Sequence, residues 1–429
     1  MRHSPRVAIA GGGIGGLALA LSLHDAGIRD VDIYESGPEI RELGVGINVL
    51  PHAARELTEL GLAPALEASG IPTAELAFYN KHGHFIWREP RGLLAGYHWP
   101  QYSIHRGELL MLLYRAVVDR LGSDRVHTAH HLDRFGNDEH GRAWADFIDR
   151  RTGKALDRIE ADVLVGADGV HSTVRTSLYP DEGPPKWNGI TMWRGVTEGK
   201  PFLAGRTMAM AGYFGLRVVV YPISRRHENQ GRALINWVAE YQSEAGRPMP
   251  SQDWDRRGRL EDVLAIFGNF VFPWLDLPDV FRRAEEIYQY PMVDRDPLPR
   301  WSFGPVTLLG DAAHPMYPVG SNGASQAILD ARVLARSLAL AENVEEALAA
   351  YENERRPATA RVVLLNRQVG AEQCMEIAEQ RAPAGFEHIE EVISAHELDE
   401  IAQRYKKTAG FDRDTLNGRP SLSVTSGRP

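Results

Sequence analysis

The pattern of apolar and polar residues at the start of the chain predicts a strand, a tight turn, a helix and a second strand. An apolar run at residues 7–10 favours a buried strand, and residues 17–26 form an apolar stretch long enough for a helix. Gly27 follows, and glycine readily adopts the backbone conformation that ends a helix. Residues 31–34, VDIY, are rich in β-branched and aromatic side chains and predict the second strand. This alternation is typical of a parallel βαβ unit.

Helical and strand-like stretches alternate along the rest of the chain, which indicates the α/β class. Helical patterns occupy residues 52–68, 106–121, 325–340 and 343–367. An interruption of the last helix is expected at Pro357, because proline lacks a backbone N–H. Residues 74–99 and 184–290 are rich in aromatic and β-branched side chains, as in a mixed sheet. Beyond about residue 412 the polar sequence predicts a frayed tail.

A glycine-rich turn, GGGIGG at residues 11–16, follows the first predicted strand. Gly11 suits the tight turn, Gly13 allows close approach of a pyrophosphate, and Gly16 allows close helix–strand packing. The helix that follows would present free N–H groups to the phosphates. Glu35 ends the second strand at the offset where a carboxylate meets the ribose hydroxyls of a dinucleotide. The alternative is a tight βαβ unit that binds no ligand.

A second turn motif, GADGVHS at residues 166–172, also follows a strand-like segment. Its Asp168 precedes a glycine, and Asp-Gly after a strand is ordinary turn chemistry. A third motif, LLGDAAHP at residues 308–315, follows another short strand and continues into PVGSNG at residues 318–323. Asp311 could be a helix N-cap or a ligand for a hydroxyl group. Each of these two motifs, taken alone, leaves both interpretations open.

Composition and charge narrow the classes of protein. The 429 residues allow two or three structural units, and a net charge of −9 gives no basic surface for nucleic acid. No apolar run reaches the length of a membrane span. Residues 1–5 lead straight into the first predicted strand, so no signal peptide is expected. Cys374 is the single cysteine, so no intramolecular disulfide or cysteine-based metal cluster is expected. The histidines lack metal-ligand spacing, no metal is predicted, and a reducing cytoplasm is the expected location.

The three motifs, in this order and at these separations, resemble those of the FAD-dependent aromatic hydroxylases, which are single-component flavoprotein monooxygenases of the p-hydroxybenzoate hydroxylase fold. The resemblance covers roughly residues 6–366. It implies a Rossmann-like FAD-binding domain interleaved with a mixed-sheet substrate domain and followed by C-terminal helices. The expected divisions are residues 1–73, 101–183 and 286–366 for the FAD-binding domain, 74–100 and 184–285 for the substrate domain, and 367–429 for a C-terminal helical segment and tail.

The resemblance also implies how FAD is held. The family places counterparts of Asp311 on the ribityl chain and of Arg106 on the phosphates or ribityl oxygens, and it lays Val45 and Gly46 beside the isoalloxazine ring. Asp168, with Arg175 downstream, is implicated in flavin and nicotinamide binding. The residues assigned to the cofactor by motif or resemblance are Gly11, Gly13, Ile14, Gly15, Gly16, Glu35, Ser36, Arg41, Val45, Gly46, Arg106, His130, Asp168, Asp311, Gly320, Asn322 and Gly323.

A small aromatic substrate is expected between the flavin and the second sheet. Aromatic walls would suit a planar ring, and a cation would suit an anionic one, although aromatic residues in strands are more often core. The candidate substrate residues are Trp193, Arg194, Tyr213, Arg217, Tyr221 and Met316. No acid or base is assigned, so Pro318 and Gly320 in the flavin-positioning loop are the catalytic candidates.

In the resembled family, NADH or NADPH docks transiently to reduce the flavin, and O2 then gives a flavin C4a-hydroperoxide that attacks an electron-rich ring. Segments 39–48, 100–109, 190–196 and 289–299 resemble the phenazine-modifying branch, the 5-methylphenazine-1-carboxylate monooxygenase-like enzymes. The implied substrate is an aromatic or N-heteroaromatic carboxylate, hydroxylated with or without loss of CO2. The chain departs from that branch around residues 213–217 and after residue 366.

Two other functions stay open at this point. One is a different flavin oxidoreductase on the same scaffold, such as a halogenase, although the Trp-x-Trp-x-Ile-Pro pattern of halogenases is absent. The other is a non-catalytic dinucleotide-fold binding protein, which would not need the intact flavin loop. The expected assembly is a monomer or a homodimer.

Overall fold

The structure, a computed structural model, describes residues 4–42, 44–243, 249, 256–368, 372–401 and 413–424. Within these ranges the strands are β1 (Val7–Ala10), β2 (Val31–Tyr34), β3 (Gly46–Val49), β4 (Ile71–Pro72), β5 (Glu75–Tyr79), β6 (Phe85–Pro90), β7 (Tyr102–His105), β8 (Val126–His127), β9 (His131–Asn137), β10 (Ala143–Asp149), β11 (Lys154–Ala155), β12 (Ile159–Ala161), β13 (Val163–Gly166), β14 (Lys186–Gly199), β15 (Thr207–Tyr213), β16 (Leu216–Pro222), β17 (Ala233–Gln242), β18 (Val271–Phe272), β19 (Leu275–Asp276), β20 (Ile287–Asp294) and β21 (Val306–Leu308). The α-helices with both ends in these ranges are α1 (Ile14–Asp25), α2 (Pro51–Glu59), α3 (Ala63–Ser69), α4 (Arg106–Leu121), α5 (Thr173–Leu178), α6 (Arg225–Glu228), α7 (Leu260–Phe267), α8 (Leu277–Arg282), α9 (Gly323–Leu340), α10 (Val344–Asn366), α11 (Gln373–Arg381) and α12 (Arg413–Gly418).

A five-stranded parallel sheet carries the three turn motifs. Its order is β21-β13-β1-β2-β8, and β1 pairs with β13 on one side and β2 on the other. Each residue of β1, β2 and β13 is buried, which explains why these strands are apolar at every position except Asp32 in β2 rather than alternating. Because the strands are parallel, the turns that follow β1, β13 and β21 leave the sheet at the same edge.

The second large sheet has seven strands in the order β20-β14-β17-β16-β15-β5-β6. Its pairs are antiparallel except for β15 with β5. Both faces are covered by apolar clusters, one with α7 and α8 and the other with Tyr317 and residues of α11. The mixed sheet expected for residues 184–290 is therefore confirmed. The strand β20 belongs to this sheet, which corrects the expectation that residues from 286 onward belong with the parallel sheet.

Three helix boundaries differ from the expectation. The segment 52–68 forms two helices, α2 and α3, separated at Gly61, which has a φ of +76°. The first helix begins three residues earlier than predicted, at Ile14. The helix α10 runs unbroken through Pro357, and residues before and after the proline, such as Tyr351 and Val362, are buried. Tertiary packing there outweighs the loss of one backbone hydrogen bond.

The expected frayed tail is wrong for residues 413–424. This segment packs on α2, where Arg419 pairs with the fully buried carboxylate of Glu56 and the Ser421 hydroxyl donates to Glu59 at 2.7 Å. Leu422 is 5% exposed. Local polarity predicts a tail, but the partners that order these residues are distant in sequence. The last five positions, 425–429, lie outside the described residues.

Candidate FAD and substrate site

The glycine turn between β1 and α1 leaves room for a ligand. Gly11 has a φ of +114°, and a side chain there would lie 2.2 Å from the carbonyl oxygen of Ala167. A side chain at Gly16 would lie 2.0 Å from the carbonyl oxygen of Gly11. Gly13, in contrast, faces open space with no atom within 4 Å of the position of a Cβ. No side chain caps the N-terminus of α1, so its first N–H groups are available to an anion in that space.

Glu35 lies beside this turn at the end of β2. One carboxylate oxygen accepts from the Gly12 N–H at 2.8 Å, and the other accepts from the Gly37 N–H at 2.7 Å. The carboxylate is thus fixed next to the glycine loop, at the end where a ribose would lie.

The other residues expected near the adenosine end, His130, Ser36 and Arg41, differ in how closely they approach Glu35. The His130 N–H donates to the carbonyl oxygen of Glu35 at 2.8 Å, which places His130 at this end of the sheet. Ser36 is exposed next to Glu35. Arg41 is also exposed and pairs with Glu39 at 3.2 Å, so the structure shows no contact between Arg41 and the glycine turn.

The second motif is held by its own hydrogen bonds. Asp168 accepts from the N–H groups of Thr173 at 2.7 Å and Val174 at 3.2 Å, and also from the Ser172 hydroxyl. The carboxylate therefore caps α5, which is the turn interpretation of this residue. Burial raises the pKa of Asp168, and these hydrogen bonds oppose that effect.

Arg175 joins the second motif to the third. Its fully buried guanidinium donates to the carbonyl oxygens of Ala312 at 3.1 Å and Ala313 at 2.9 Å, and it forms an ion pair with Glu182. These contacts fix the turn that carries Asp311. The Arg175 guanidinium therefore bonds to protein groups of the third motif and to Glu182.

Asp311 lies where the third motif meets the start of α4 and α9. A side chain at Gly323 would lie 3.8 Å from the Asp311 Oδ1 atom. Burial raises the pKa of Asp311, while the nearby His314 and Arg106 lower it. The residue is nevertheless exposed to solvent. A carboxylate that is both accessible and closely surrounded by protein lies on a concave surface, as a cofactor ligand requires.

The loop before α9 is the flavin-positioning loop of the sequence analysis. Pro318 precedes a short 3-10 turn, Val319–Ser321, in which Gly320 has a φ of +67°. Asn322 immediately precedes α9 and is fully buried, and among the described residues neither polar atom of its side-chain amide has a hydrogen-bond partner. Buried amides are normally satisfied, so a group outside the chain is expected here.

The three motifs converge in space. A side chain at Gly15 would lie 2.8 Å from Leu309 and 3.4 Å from Ala327, which brings α1 against the third motif. Gly11 contacts the second motif at Ala167, as described above. The glycine turn, the open space at Gly13, the concave surface at Asp311 and the unpartnered amide of Asn322 together fit an extended dinucleotide such as FAD.

The loop before β3 connects this cofactor region to the mixed sheet. The Gly46 N–H donates to the Asn236 Oδ1 atom at 2.6 Å, and the Gly46 carbonyl accepts from Arg194 Nη2 at 2.9 Å. Val45 is buried, and its carbonyl accepts from the Arg106 N–H at 2.9 Å. Side chains of the mixed sheet therefore form hydrogen bonds with both the N–H and the carbonyl of Gly46.

Alternation along β14 separates two of the candidate substrate residues. Arg194 reaches Gly46 on the face of the mixed sheet that is turned toward the cofactor region, where Tyr221 also lies. Trp193, its neighbour in sequence, packs in the opposite cluster with Trp237 and Phe281. The expectation that Trp193 lines the substrate space is therefore corrected, because successive side chains of a strand point to opposite faces.

Arg217 lies in the mixed sheet but is already paired. Its guanidinium bonds the Glu240 carboxylate at 2.6 Å and lies 3.6 Å from Glu372. Tyr213 lies at the tip of the β15–β16 hairpin, where Lys81 is 5.6 Å from the ring centroid. Met316 is half-buried next to Tyr317.

Two functional candidates were missed by the sequence reasoning. Asn236 sits between apolar residues in β17, and its polar side chain at an inward position was the available signal. Asp330 is fully buried in α9 and contacts the third motif at Gly310. Its apolar neighbours in the sequence predict a core position, and an ionisable residue there is unusual.

Two searches of the described residues returned no candidates. No helix there is long and apolar enough to cross a membrane. Nor do the described residues contain a cluster of three or more histidine, cysteine, aspartate or glutamate side chains arranged to hold a metal ion.

Comparison with known proteins defines the class of protein. A family model described as FAD binding domain matches residues 5–365, and the chain belongs to this family. It is an FAD-dependent monooxygenase, as its relatives indicate. The non-catalytic interpretation of the sequence is thereby excluded.

Individual relatives are more specific. The chain is 51% identical over 363 residues to a phenazine 1,6-dicarboxylic acid hydroxylase, PhzS, of Lysobacter antibioticus, covering 84% of this chain and 89% of that protein. It is 33% identical to the 3-amino-4-hydroxybenzoate 2-monooxygenase PtnB3 of Streptomyces platensis, covering 86% and 89%. The crystal structure of Klebsiella pneumoniae HpxO with FAD and uric acid shares the fold, with a TM-score of 0.73, 24% identity and coverage of 96% and 97%.

Proposed function

We propose that this protein hydroxylates a planar N-heteroaromatic carboxylate of the phenazine class at the ring carbon that bears the carboxylate, with loss of CO2. The balanced reaction is Ar–COOH + O2 + NAD(P)H + H⁺ → Ar–OH + CO2 + NAD(P)⁺ + H2O. Ring hydroxylation with the carboxylate retained is the competing outcome. The relative that hydroxylates a phenazine dicarboxylic acid supports the substrate class.

The observation that supports this proposal is that the Arg194 guanidinium has an unsatisfied hydrogen-bond donor and no anionic partner among the described residues. One nitrogen donates to the Gly46 carbonyl, whereas the buried Nε atom has no hydrogen-bond partner among the described residues. No carboxylate within those residues lies at ion-pair distance from Arg194, in contrast to Arg217, which has two. A guanidinium in a largely dehydrated position without an anion is suited to bind a substrate carboxylate.

Aromatic side chains surround this cation. Tyr221 and Tyr290 lie in the same apolar cluster of the sheet and interact with Arg194. Burial raises the pKa of Tyr221 despite the nearby guanidinium, so its phenol stays protonated at neutral pH. A planar ring placed here would have apolar walls, a cation for its carboxylate and a hydroxyl donor.

The residues proposed to hold FAD follow from the convergence of the motifs. The glycine turn and the N-terminus of α1 would bind the pyrophosphate, Glu35 the ribose, and Asp311 with Arg106 the ribityl region. Gly46 and the start of α9 would face the ring. Bound FAD supplies the activated oxygen; the chain orients the substrate, excludes water and pairs its charge. We also propose that the parallel and mixed sheets form separate cofactor and substrate units.

The test of this proposal compares substrates and variants of Arg194. Purified enzyme is incubated with O2 and either NADH or NADPH. The substrates tested are phenazine-1-carboxylate, hydroxybenzoates and aminobenzoates, and the masses of the products are measured by mass spectrometry. Turnover of the phenazine acid with loss of the carboxylate mass is expected. A product one oxygen heavier with its carboxylate intact excludes decarboxylation, and no turnover of any aromatic acid excludes the substrate class.

Replacement of Arg194 isolates the role of its charge. Arg194→Met should weaken binding of the phenazine carboxylate by about tenfold to a hundredfold, the usual cost of losing a hydrogen bond to a charged group. Binding of unsubstituted phenazine should change little. The control is Arg282→Met, which removes an exposed arginine from α8 of the same sheet unit. Equal losses for both ligands would contradict a carboxylate-binding role.

A further inference from the structure

A buried charged cluster lies directly behind the turn that carries Asp311. Asp330 in α9 is fully buried, and its carboxylate receives three hydrogen bonds. Oδ2 accepts from the Gly310 N–H at 3.1 Å and from His314 Nε2 at 2.6 Å. Oδ1 accepts from Arg355 Nε at 2.7 Å.

These bonds hold both ends of the turn that contains Asp311. Gly310 immediately precedes Asp311 and has a φ of +63°, a conformation that side chains rarely adopt. His314 follows Asp311 by three residues. A single carboxylate oxygen therefore fixes the backbone before Asp311 and the side chain after it, and leaves the Asp311 carboxylate free on the opposite, accessible side.

The cluster is also braced from α10. Arg355 donates to the Gln326 side chain at 2.6 Å as well as to Asp330. The Tyr351 hydroxyl donates to the Leu308 carbonyl oxygen at 3.0 Å, at the end of β21. Burial raises the pKa of Asp330, but His314 and Arg355 outweigh it and leave the pKa below its usual range. The carboxylate is therefore ionised and accepts every bond.

Stability alone is a weak explanation for such a cluster. Buried ion pairs are often no more stabilising than apolar residues of the same volume, because their dehydration is costly. Here the Asp330 carboxylate bonds to Gly310 and His314, which lie on either side of Asp311 in the turn that faces the cofactor region. A buried carboxylate bonded to the turn in this way is expected when the fold has to fix the geometry of the turn rather than to increase the stability of the domain.

We propose that His314, Asp330 and Arg355 are positioning residues that fix the Asp311 carboxylate for the ribityl hydroxyls of FAD. This inference concerns the cofactor and goes beyond the proposed reaction, so it does not depend on the substrate. It predicts that the cluster affects FAD binding through Asp311 and not through the general stability of the domain.

A double-mutant cycle tests this coupling. FAD dissociation constants are measured on reconstituted full-length protein for the parent, Asp330→Asn, Asp311→Ala and the double variant. Asp330→Asn should weaken FAD binding about tenfold in the parent and by less than about twofold when Asp311 is already alanine. Equal weakening in both backgrounds would overturn the proposal.

Two further comparisons separate positioning from folding. Glu56→Gln alters a carboxylate of α2 that is as buried as that of Asp330. Glu56 pairs with Arg332, which is in α9 like Asp330, but this pair lies away from the turn that carries Asp311. It should lower the melting temperature without changing the FAD dissociation constant. His314→Gln keeps a donor toward Asp330 and should retain most FAD affinity, whereas His314→Leu should not. Equal behaviour of the two His314 variants, or loss of FAD affinity in Glu56→Gln, counts against the proposal.

Discussion

Removal of the Asp311 carboxylate should weaken FAD binding more than it alters folding. The side chain is accessible and lies against the start of α9, so its loss leaves no cavity in the core. A hydrogen bond to a charged acceptor contributes about 1.5–3 kcal/mol, which corresponds to an FAD dissociation constant about tenfold to a hundredfold higher for Asp311→Ala.

The raised pKa of Asp311 adds a pH dependence with a definite sign. Burial, opposed by His314 and Arg106, raises this pKa above its usual value. As the pH falls, the Asp311 carboxylate is therefore protonated at a higher pH than an ordinary aspartate. The part of the FAD affinity that depends on the anion is lost as the pH falls through this raised pKa. The contribution of the anion is fully present only at pH values above that raised pKa. Asp311→Asn cannot titrate, so its FAD affinity should lack this acid-side decrease.

The assay is titration of apoprotein with FAD, followed by flavin fluorescence from pH 4.5 to 8 in about half-unit steps. Parent, Asp311→Ala and Asp311→Asn proteins are compared with Asp262→Asn, which removes an exposed carboxylate from α7. Melting temperatures of the apoproteins provide the folding control. Equal FAD dissociation constants in the parent and Asp311→Ala, or the same acid-side decrease in Asp311→Asn, would refute the assigned role.

Four other outcomes are expected. Arg106→Ala should raise the FAD dissociation constant by about tenfold, the lower part of the range, because this arginine is exposed; an unchanged value contradicts its role. Acid precipitation should release the yellow colour, because FAD is expected to be noncovalent; a coloured pellet contradicts this. Gly11→Ala should destabilise the fold, since its methyl group would meet the Ala167 carbonyl at 2.2 Å, whereas Gly13→Ala should fold and lose FAD affinity. Arg419→Met should lower the free energy of unfolding by about 1–3 kcal/mol in urea titrations, because Glu56 loses a charged partner, and FAD binding should not change.

The elements around the cofactor were predictable from sequence because their signals are local. The helix at 106–121 and the strand at 31–34 have the predicted bounds, since each has a clear apolar pattern and an abrupt end. Glu35 could be placed beside the glycine turn because a βαβ unit fixes the spacing between them. In each case the residues that determine the structure lie within one short segment.

Features that depend on distant partners were not predictable in the same way. The order of residues 413–424 comes from Glu56 and Glu59, more than 350 positions earlier. The unbroken α10 is consistent with the burial of its residues against the rest of the fold, which no local pattern reveals.

The two arginine candidates show why pairing decides the substrate site. Sequence alone makes Arg194 and Arg217 equivalent, since both are cations in strands of the same predicted sheet. Strand register separates them: Arg217 lies directly opposite Glu240, whereas Arg194 lies opposite Val238. A cation with a carboxylate as its cross-strand neighbour is neutralised within the fold. The cation left opposite an apolar residue, with a buried donor still unsatisfied, is the one available to a substrate anion.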